Sequence, residues 1–239
     1  MIDLSIIIIN KNYLRYLKKC INSCFDQKTQ YSYEIIVIDD GSIDGSINYI
    51  QSLEDKRLKF FQSNCAGIEK ASNIGFKKSK GKYVVRVDSD DLLRNNFIEK
   101  TIREIKKSRY DFVYSNYFEI NSMHKLIKKK KLPIFNKNEI RKRGDFLATG
   151  TVYKKKLIKS FDFYNEKFKN CGLENYELVL KLLNQNCRAK RINNFLFYYR
   201  HHQKNISIIR QKKIINYGKK LFYKMNLGKY SKNKNHPWI

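Results

Sequence analysis

Two short, largely apolar runs in this sequence each end in aspartates, and this pairing restricts the fold more than any other feature. Residues 35–38 are followed by Asp39 and Asp40, and residues 83–87 are followed by the segment DSDD at residues 88–91. Such runs predict strands, and strands that alternate with helices predict a mostly parallel sheet with helices on its faces. Ligands of such sheets bind outside the carboxyl ends of the strands. The sequence therefore predicts one sheet edge that carries both acidic segments.

Predicted strands and helices alternate along much of the chain. The strands are residues 5–9, 35–38, 58–61, 83–87 and 112–117, and the helices are residues 14–24, 46–53, 71–78, 95–107 and 174–183. This order predicts an α/β fold, with a mostly parallel central sheet flanked by helices.

The pattern is weaker in the second half of the chain. The lysine run at residues 128–131 predicts an exposed loop, and regular structure is expected again at residues 148–153 and in the aromatic run at residues 195–199. Residues 208–224 have amphipathic helical spacing, and residues 228–239 are expected to form a loose tail. The length of 239 residues favours one main domain.

The cysteines and the N-terminal residues indicate the cellular compartment in which we expect the protein. The five cysteines are scattered, and Cys20 and Cys24 have a helical spacing rather than a CxxC spacing. This usage favours a reducing compartment with the thiols as small core residues. Residues 1–9 show no basic leader and no apolar stretch of spanning length, so we expect a cytoplasmic protein that is neither exported nor integral to a membrane.

The formal net charge of +28 invites two interpretations, a nucleic-acid binder or a protein that contacts an anionic membrane surface. Lys, Asn and Ile are abundant together, which a compositional drift without selection for charge also explains. Charge alone gives no reason for acidic strand ends, so we do not expect nucleic acid as a partner. No acidic residue follows Glu177, which predicts a basic surface near the C-terminus.

The DSDD segment has the chemistry of a metal and diphosphate site. Asp88 and Asp90 point to the same side of an extended segment, and Asp91 can turn inward at the start of the loop. Hard cations such as Mg²⁺ or Mn²⁺ prefer oxygen ligands and leave positions open for substrate phosphates. At the other strand end, Asp40 can accept a hydrogen bond from a base, and Gly41 allows a close backbone approach. The alternative for each segment is an ordinary Asp-rich turn, and their shared edge favours the site.

Four blocks of this sequence resemble inverting family 2 glycosyltransferases of the GT-A fold. They read SIIIINKNYLRYLKKCINSCFDQ at residues 5–27, YEIIVIDDGSIDG at 33–45, ASNIG at 71–75 and GKYVVRVDSDD at 81–91. The resemblance runs from residue 4 to residue 207. It implies a Rossmann-like GT-A domain at residues 1–207, with a nucleotide-sugar donor half at 1–95 and an acceptor half at 96–207. Residues 208–239 would be a basic amphipathic helix and tail.

The resemblance also implies the reaction and its donor site. The enzyme would be a metal-dependent hexosyltransferase that moves a sugar from a UDP-sugar to a saccharide or lipid-linked acceptor, in the synthesis of surface polysaccharide or lipopolysaccharide. The implied nucleotide-sugar contacts are Ile9, Asn10, Asn12, Asp40, Lys70, Asn73, Asp88, Ser89, Asp90 and Asp91, and the implied ligands of Mn²⁺ or Mg²⁺ are Asp88, Asp90 and His202.

Some of these roles follow from single positions in the resemblance. Asp40 would contact the base, and Asp90 would be in direct contact with the metal. His202, in the segment YRHH, falls on a histidine that approaches the metal or the diphosphate, with an exposed histidine beside a basic loop as the alternative. Lys11 stands where many members have a Tyr that lies against the base.

The motif on the acceptor side departs from the family. Where members have Glu-Asp, this chain reads GLENYEL at residues 172–178. An inverting transfer needs a general base for the acceptor hydroxyl, and the amide of Asn175 cannot act as one. Glu174 is the nearest substitute and our candidate base, with Glu177 one helical turn away. The alternatives are that both are ordinary first-turn glutamates, and that the chain is a catalytically impaired nucleotide-sugar-binding or scaffold protein.

The apolar residues of the last predicted helix lie among lysines. They are Ile209, Ile214, Ile215, Leu221 and Phe222. A basic amphipathic helix can lie on an anionic membrane, here the inner face of the cytoplasmic membrane, and would suit a lipid-linked acceptor. The alternative is a helix packed on the domain with its lysines in solvent.

Overall fold

A computed structural model describes residues 1–107, 110–143 and 150–230. The strands are β1 (Leu4–Asn10), β2 (Tyr33–Asp39), β3 (Leu58–Gln62), β4 (Tyr83–Asp88), β5 (Leu92–Leu93), β6 (Phe112–Asn121), β7 (Leu126–Lys130), β8 (Val152–Lys154) and β9 (Ala189–His201). The helices are α1 (Leu14–Phe25), α2 (Ser46–Gln51), α3 (Ile68–Lys78), α4 (Phe97–Lys107), α5 (Lys137–Arg143), α6 (Lys155–Lys159), α7 (Glu174–Leu183), α8 (Ile206–Ile209) and α9 (Gln211–Lys224).

The strands form one sheet in the order β3-β2-β1-β4-β8-β6-β9-β5, and β7 pairs with β6. The first four strands of this order are parallel. Beyond them, β8 is antiparallel to both of its neighbours, and β6 runs parallel to β9. The predicted α/β fold is confirmed, with parallel strands in the first part of the sheet and a mixed arrangement beyond them.

The apolar run of β1 is continuous because helices cover both faces of the sheet. Ile7 and Ile9 belong to the core cluster that contains α3 and α7 residues, and Ile6 and Ile8 belong to the cluster with α1 and α4 residues. Successive side chains of a strand point to opposite faces, so a strand between two cores must be apolar at every position.

The register of the parallel strands brings the two acidic segments to one edge, as predicted. Asn10 at the end of β1 is paired with Asp39 of β2, and Ile9 is paired with Asp88 of β4. The acidic edge is therefore built on β1 and its two neighbours, β2 and β4.

The lysine run was wrongly expected to be a loop. Residues 128–130 lie in β7, where each pairs with a residue of β6. Lysine is tolerated here because β7 is at the edge of the sheet and its side chains face solvent. Residues 148 and 149 of the expected strand, and residues 231–239 of the expected tail, lie outside the described residues.

The C-terminal helix packs on the domain, so the alternative to membrane binding describes it correctly. Ile214, Leu221 and Phe222 of α9 are buried in the same cluster as α7. The Tyr217 hydroxyl donates a hydrogen bond to the carboxylate of Glu177 on α7. These three residues are thus covered by the protein itself, whereas Ile215 is half-buried and Ile209, in α8, is 63% exposed.

Two further expectations concern the thiols and membrane spans. All five cysteines are free, and Cys65 is exposed, while the other four are buried as predicted. Within the part of the chain that the structure describes, no helix has the length and apolar character needed to cross a bilayer.

Gly75 of α3 allows this helix to lie against β1, and this contact yields a first prediction. A Cβ at Gly75 would overlap the Ile7 side chain. We expect Gly75→Val to lower the free energy of unfolding by about 1–3 kcal/mol or more, because a well-packed core resists added volume. Lys77→Val is the matched control, since Lys77 is exposed on the same helix. Urea unfolding measures both, and equal losses would contradict the close packing of α3 on β1.

Candidate donor and catalytic site

The loop after β2 is held by the carboxylate of Asp39. This carboxylate accepts hydrogen bonds from Asn10 Nδ2 at 2.8 Å, from the Gly41 N–H at 3.1 Å and from the Ser42 N–H at 2.7 Å. Gly41 has φ +84°, and a Cβ there would overlap the Cys65 side chain, so the turn requires glycine. Asn10 Oδ1 is buried and has no hydrogen-bond partner among the described residues, which leaves a buried acceptor at the edge of the sheet.

Asp40 holds a second loop. Its carboxylate accepts hydrogen bonds from Ser63 Oγ at 2.6 Å and from the N–H groups of Ala66 at 2.7 Å and Gly67 at 3.1 Å. Lys11 Nζ lies 3.9 Å from the same carboxylate. The structure therefore gives Asp40 a structural role in the loop that leads to α3, and its contact with a base stays a prediction.

Asp90 and His202 lie together, although 112 residues separate them in the sequence. His202 Nδ1 accepts a hydrogen bond from the Lys204 N–H at 3.1 Å, so the proton of the neutral ring is on Nε2. Nε2 donates to Asp90 Oδ2 at 2.9 Å, and the ring stacks on Tyr16 with 5.0 Å between centroids. The side chain of His202 is only 6% exposed, so the alternative of a histidine in solvent is wrong.

Arg200 locks the DSDD loop onto β9. Its backbone N–H donates to Asp91 Oδ1 at 2.8 Å, and its Nε donates to the Asp90 carbonyl at 2.6 Å. The side chain is fully buried, and its guanidinium lies 4.8 Å from the centroid of the Tyr16 ring. Burial lowers the pKa of Arg200, while Asp91 and Asp90 act in the opposite direction. Arg200 was not predicted from the sequence, although it stands in the same segment, YRHH, as His202.

A buried ion network links the donor edge to α7. Arg86 Nη1 donates to Glu174 Oε1 at 2.6 Å, and Arg86 Nε lies 3.1 Å from Asp88 Oδ1. Burial lowers the pKa of Arg86, but Asp88, Tyr164 and Glu174 raise it well above its usual range. The second oxygen of Glu174, Oε2, is buried and has no hydrogen-bond partner among the described residues. Arg86 therefore bridges the candidate base Glu174 and Asp88, and Oε2 is the oxygen of Glu174 that could accept a proton.

The neighbours of Glu174 on α7 have structural partners. Asn175 Oδ1 accepts hydrogen bonds from the hydroxyls of Tyr153 at 3.0 Å and Tyr164 at 3.2 Å. The carboxylate of Glu177 binds Lys181, Asn165 and Tyr217. Glu177 is thus engaged in fixing α9, which leaves Glu174 as the better candidate for the base.

The other predicted donor residues occupy different environments. Asn12 lies in the loop after β1 and accepts a hydrogen bond from the Ile43 N–H, next to Asn10. Ile9 and Ser89 are buried, and Lys70 is exposed on α3. The side-chain amide of Asn73 donates to the Tyr164 carbonyl and to Glu166 Oε1 and accepts from the Tyr164 N–H. Asn73 therefore fixes the loop after α6, and its contact with a donor stays a prediction.

Two of the three predicted metal ligands have potential donor atoms close together. Asp90 Oδ2 and His202 Nε2 are 2.9 Å apart, which suits two neighbouring ligands of one small cation. Asp88 is oriented toward Arg86 and would join them only by leaving it. Carboxylate oxygens suit Mn²⁺ or Mg²⁺, so Asp90 fits the implied ion, and His202 would join it only after Nε2 loses the proton that it donates to Asp90.

A different group meets a purely geometric criterion for metal binding. The potential ligand atoms of Glu69, Cys171 and Glu174 all lie within 4.8 Å of one another. However, the Glu69 carboxylate already accepts hydrogen bonds from the N–H groups of Asn170 and Cys171, each at 2.6 Å. Burial and the nearby Glu174 raise the pKa of the Cys171 thiol, which keeps it protonated and a poor ligand. Glu69 is therefore an internal anchor of the loop before α7.

Known proteins resemble this chain in sequence. A model of the family described as Glycosyl transferase family 2 matches residues 5–166. The glycosyltransferase GlyG of Streptococcus pneumoniae serotype 4 (strain ATCC BAA-334 / TIGR4) is 33% identical over 118 residues, which are 48% of this chain and 39% of GlyG. UDP-Glc:alpha-D-GlcNAc-diphosphoundecaprenol beta-1,3-glucosyltransferase WfaP of Escherichia coli is 28% identical over 213 residues, which are 88% of this chain and 82% of WfaP.

Solved structures share the fold. The crystal structure of S. aureus TarS 1-349 in complex with UDP-GlcNAc has a TM-score of 0.76 at 17% identity, over 97% of this chain and 68% of that chain. The predicted GT-A, Rossmann-like fold is thereby confirmed. The chain spans about two-fifths of the length of GlyG.

The buried pair of Arg86 and Glu174 yields a second prediction. Removing one partner leaves an uncompensated buried charge, so we expect Arg86→Met to lower the free energy of unfolding by about 3–5 kcal/mol. Lys106→Met removes one partner of the more exposed pair with Asp3, where we expect about 0–1 kcal/mol. Urea unfolding of both variants measures the difference, and a small loss for Arg86→Met would show that the pair is not tightly buried.

Proposed function

The chain belongs to glycosyl transferase family 2, and we propose that it is an inverting, metal-dependent glycosyltransferase that uses a nucleotide-diphosphate sugar. One observation carries the proposal. The Asp90–His202 pair and the candidate base Glu174 belong to one buried edge, joined through Asp88 and Arg86. Donor groups and an acceptor-side base are thus held in a fixed relation, as a transfer reaction requires.

The donor is proposed to be a UDP-sugar. The name of WfaP specifies UDP-Glc, and the TarS structure contains UDP-GlcNAc. The nucleotide base of the donor would lie at the loops after β1 and β2. There the buried Asn10 Oδ1 is an acceptor without a hydrogen-bond partner among the described residues. Asn12 and the loop that Asp40 holds would complete this part of the site.

A divalent cation, Mn²⁺ or Mg²⁺, would be held by Asp90 and His202, with Asp88 as a further ligand. When bound, it neutralises the negative charge that develops on the leaving diphosphate. Arg200 keeps the DSDD backbone in place for this purpose, through its bonds to Asp90 and Asp91.

Glu174 is proposed as the general base. The acceptor hydroxyl attacks the anomeric carbon, the bond from that carbon to the diphosphate breaks, and the hydroxyl proton passes to Glu174 Oε2. Arg86 holds the other carboxylate oxygen and so fixes the orientation of the acid. Asn175 takes no part in the proton transfer, because its amide oxygen is occupied by two tyrosine hydroxyls.

The acceptor is proposed to be a saccharide, free or lipid-linked, in the synthesis of a surface polysaccharide. The name of WfaP specifies a GlcNAc-diphosphoundecaprenol acceptor, and this chain aligns with 82% of that protein. We place the reaction at the inner face of the cytoplasmic membrane, where such an acceptor would meet a nucleotide sugar.

A second candidate function is favoured by Asn175, which stands where the family has Asp. A protein of this fold that binds a nucleotide sugar without transferring it would keep the donor edge and need no base. Transfer to any acceptor excludes this alternative.

Donor binding yields a third prediction. We expect one UDP-sugar to raise the melting temperature of the protein only when Mn²⁺ or Mg²⁺ is present, because a ligand that binds the folded state stabilises it. Asp90→Ala should abolish the metal-dependent part of this shift. Glu104→Ala, at a partly exposed ion pair with Lys190, is the control and should leave the shift unchanged. A shift that survives Asp90→Ala would contradict the assigned metal ligand.

Catalysis yields a fourth prediction. Glu174→Gln should lower the turnover number by about 100-fold or more, the usual contribution of a general base. Donor affinity, measured by the same thermal shift, should remain, since the amide can still accept a hydrogen bond from Arg86. The companion variant Asn175→Asp restores the carboxylate of the family motif. If Glu174→Gln retains full turnover, or Asn175→Asp alone creates it, Glu174 is not the base.

A further inference from the structure

We propose that the hairpin of β6 and β7, and its turn at residues 121–125, docks this protein on an anionic membrane surface. The purpose of this docking rests on the proposed transfer to a lipid-linked acceptor. The docking itself rests on the exposure, charge and position of the hairpin.

β7 is exposed on both of its faces. Side chains alternate along a strand, so a strand on a domain normally buries every second one. All five residues of β7 are exposed, and among the described strands β7 pairs only with β6. The strand therefore projects beyond the packed body of the domain.

The projecting end of the hairpin is apolar. Met123 in the turn is 67% exposed, and Leu126 and Ile127 at the start of β7 are 56% and 52% exposed. Clustered exposed apolar side chains mark a surface that binds a protein or a membrane, whereas single ones do not. These three lie within five residues of one another at one tip.

Lysines lie next to this apolar tip, both in the turn and farther along β7. Lys125 precedes β7, and residues 128–131 form an unbroken lysine run, all of them exposed. Glu119 is the only acidic residue between positions 112 and 131, and it pairs with Lys128 and His201. Apolar side chains with adjacent lysines match the interface of a bilayer that contains anionic lipids. Nucleic acid would match the lysines and leave the apolar tip in water.

The hairpin turn is fixed to the donor site. Arg200 Nη1 donates to the Asn121 carbonyl at 3.1 Å, and Nη2 lies 3.1 Å from His124 Nε2. Burial and Arg200 lower the pKa of His124, so its neutral ring can accept this hydrogen bond. Arg200 also binds the Asp90 carbonyl, so one side chain connects the turn to the DSDD loop.

A cleft beside the hairpin turn is lined by residues of both the turn and the candidate donor site. Its volume is about 430 Å³, and Ser122, Tyr13 and His202 are part of its lining. A membrane on which the tip rests would therefore lie next to the donor site, where a lipid-linked sugar projects from the bilayer. The hairpin thus offers the membrane contact that the buried face of α9 cannot make.

The first test measures binding of the full chain to vesicles of phosphatidylcholine with and without phosphatidylglycerol. We expect sedimentation with the anionic vesicles only, and weaker binding at higher salt. Replacing Lys129, Lys130 and Lys131 together by Gln should lower the partition coefficient by about tenfold or more, because each lysine near the surface contributes to attraction. The control replaces Lys212, Lys219 and Lys220 of α9 by Gln, which removes equal charge from exposed positions. Equal losses in the two variants would overturn the assignment to the hairpin.

The second test concerns the apolar tip. Met123→Ser, Leu126→Ser and Ile127→Ser together should lower binding several-fold at a salt concentration that suppresses charge effects, since burial of apolar area adds to membrane affinity. Ile208→Ser with Ile209→Ser is the control at other exposed apolar positions. In the unaltered protein, anionic vesicles should protect Lys125 and residues 128–131 from acylation more than Lys219 and Lys220. Absence of this protection would overturn the proposal without any variant.

Other occupants of the surface give different results. Dimerisation that the apolar substitutions abolish would assign the edge strand to a second copy, and a gel shift with RNA or DNA that the lysine substitutions abolish would assign it to nucleic acid. Either outcome without vesicle binding overturns the proposal. Donor binding is measured separately by thermal shift, so a failure of membrane docking is distinguishable from a failure of the proposed function.

Discussion

The carboxyl ends of β1, β2 and β4 bring charged side chains into a buried edge, and every buried charge there must have a partner. Arg86 meets this requirement for Asp88 and Glu174, and Arg200 meets part of it for Asp91. Asp39 and Asp40 are satisfied by backbone N–H groups of the loops that follow. Because the partners come from β9, α7 and two loops, neutralising this edge also determines how the second half of the chain packs against the first. A site assembled in this way is organised before any ligand arrives, which lowers the ordering cost of binding.

Asn175, at a position where the resemblance to the family implies Asp, meets a structural requirement that either residue could meet. The side-chain oxygen at this position accepts hydrogen bonds from Tyr153 and Tyr164, and an amide oxygen accepts them as a carboxylate oxygen would. What changes is chemical, since an amide cannot take a proton from an acceptor. The adjacent Glu174 has one oxygen held by Arg86 and the other without a hydrogen-bond partner among the described residues, which is why Glu174 is the proposed base.

The parts of the site that could be predicted from sequence are those that depend on strand ends. Asp39, Asp40, Asp88 and Asp90 fall on one edge because parallel neighbours end together, and a continuous apolar run is enough to recognise such strands. The approach of His202 to Asp90 was accessible only through family resemblance, because no local pattern links residues so far apart in sequence. From the sequence alone, Arg86 could also be an exposed cation on an edge strand, because its buried partner Glu174 lies on a helix 88 residues later.

The sequence also does not predict which surfaces of α9 and β7 are covered by other elements and which face solvent. The spacing of Ile214, Leu221 and Phe222 shows that α9 has an apolar face but not that α7 covers it. Conversely, residues 126–130 lack the alternation of a half-buried strand because β7 has no packed face at all. The side chains of β7 therefore lie in solvent, while pairing with β6 fixes its backbone. Arg200 connects the turn before β7 with the Asp90 carbonyl. One buried side chain therefore joins the hairpin turn to the DSDD loop, so the edge hairpin and the candidate donor site share a structural element.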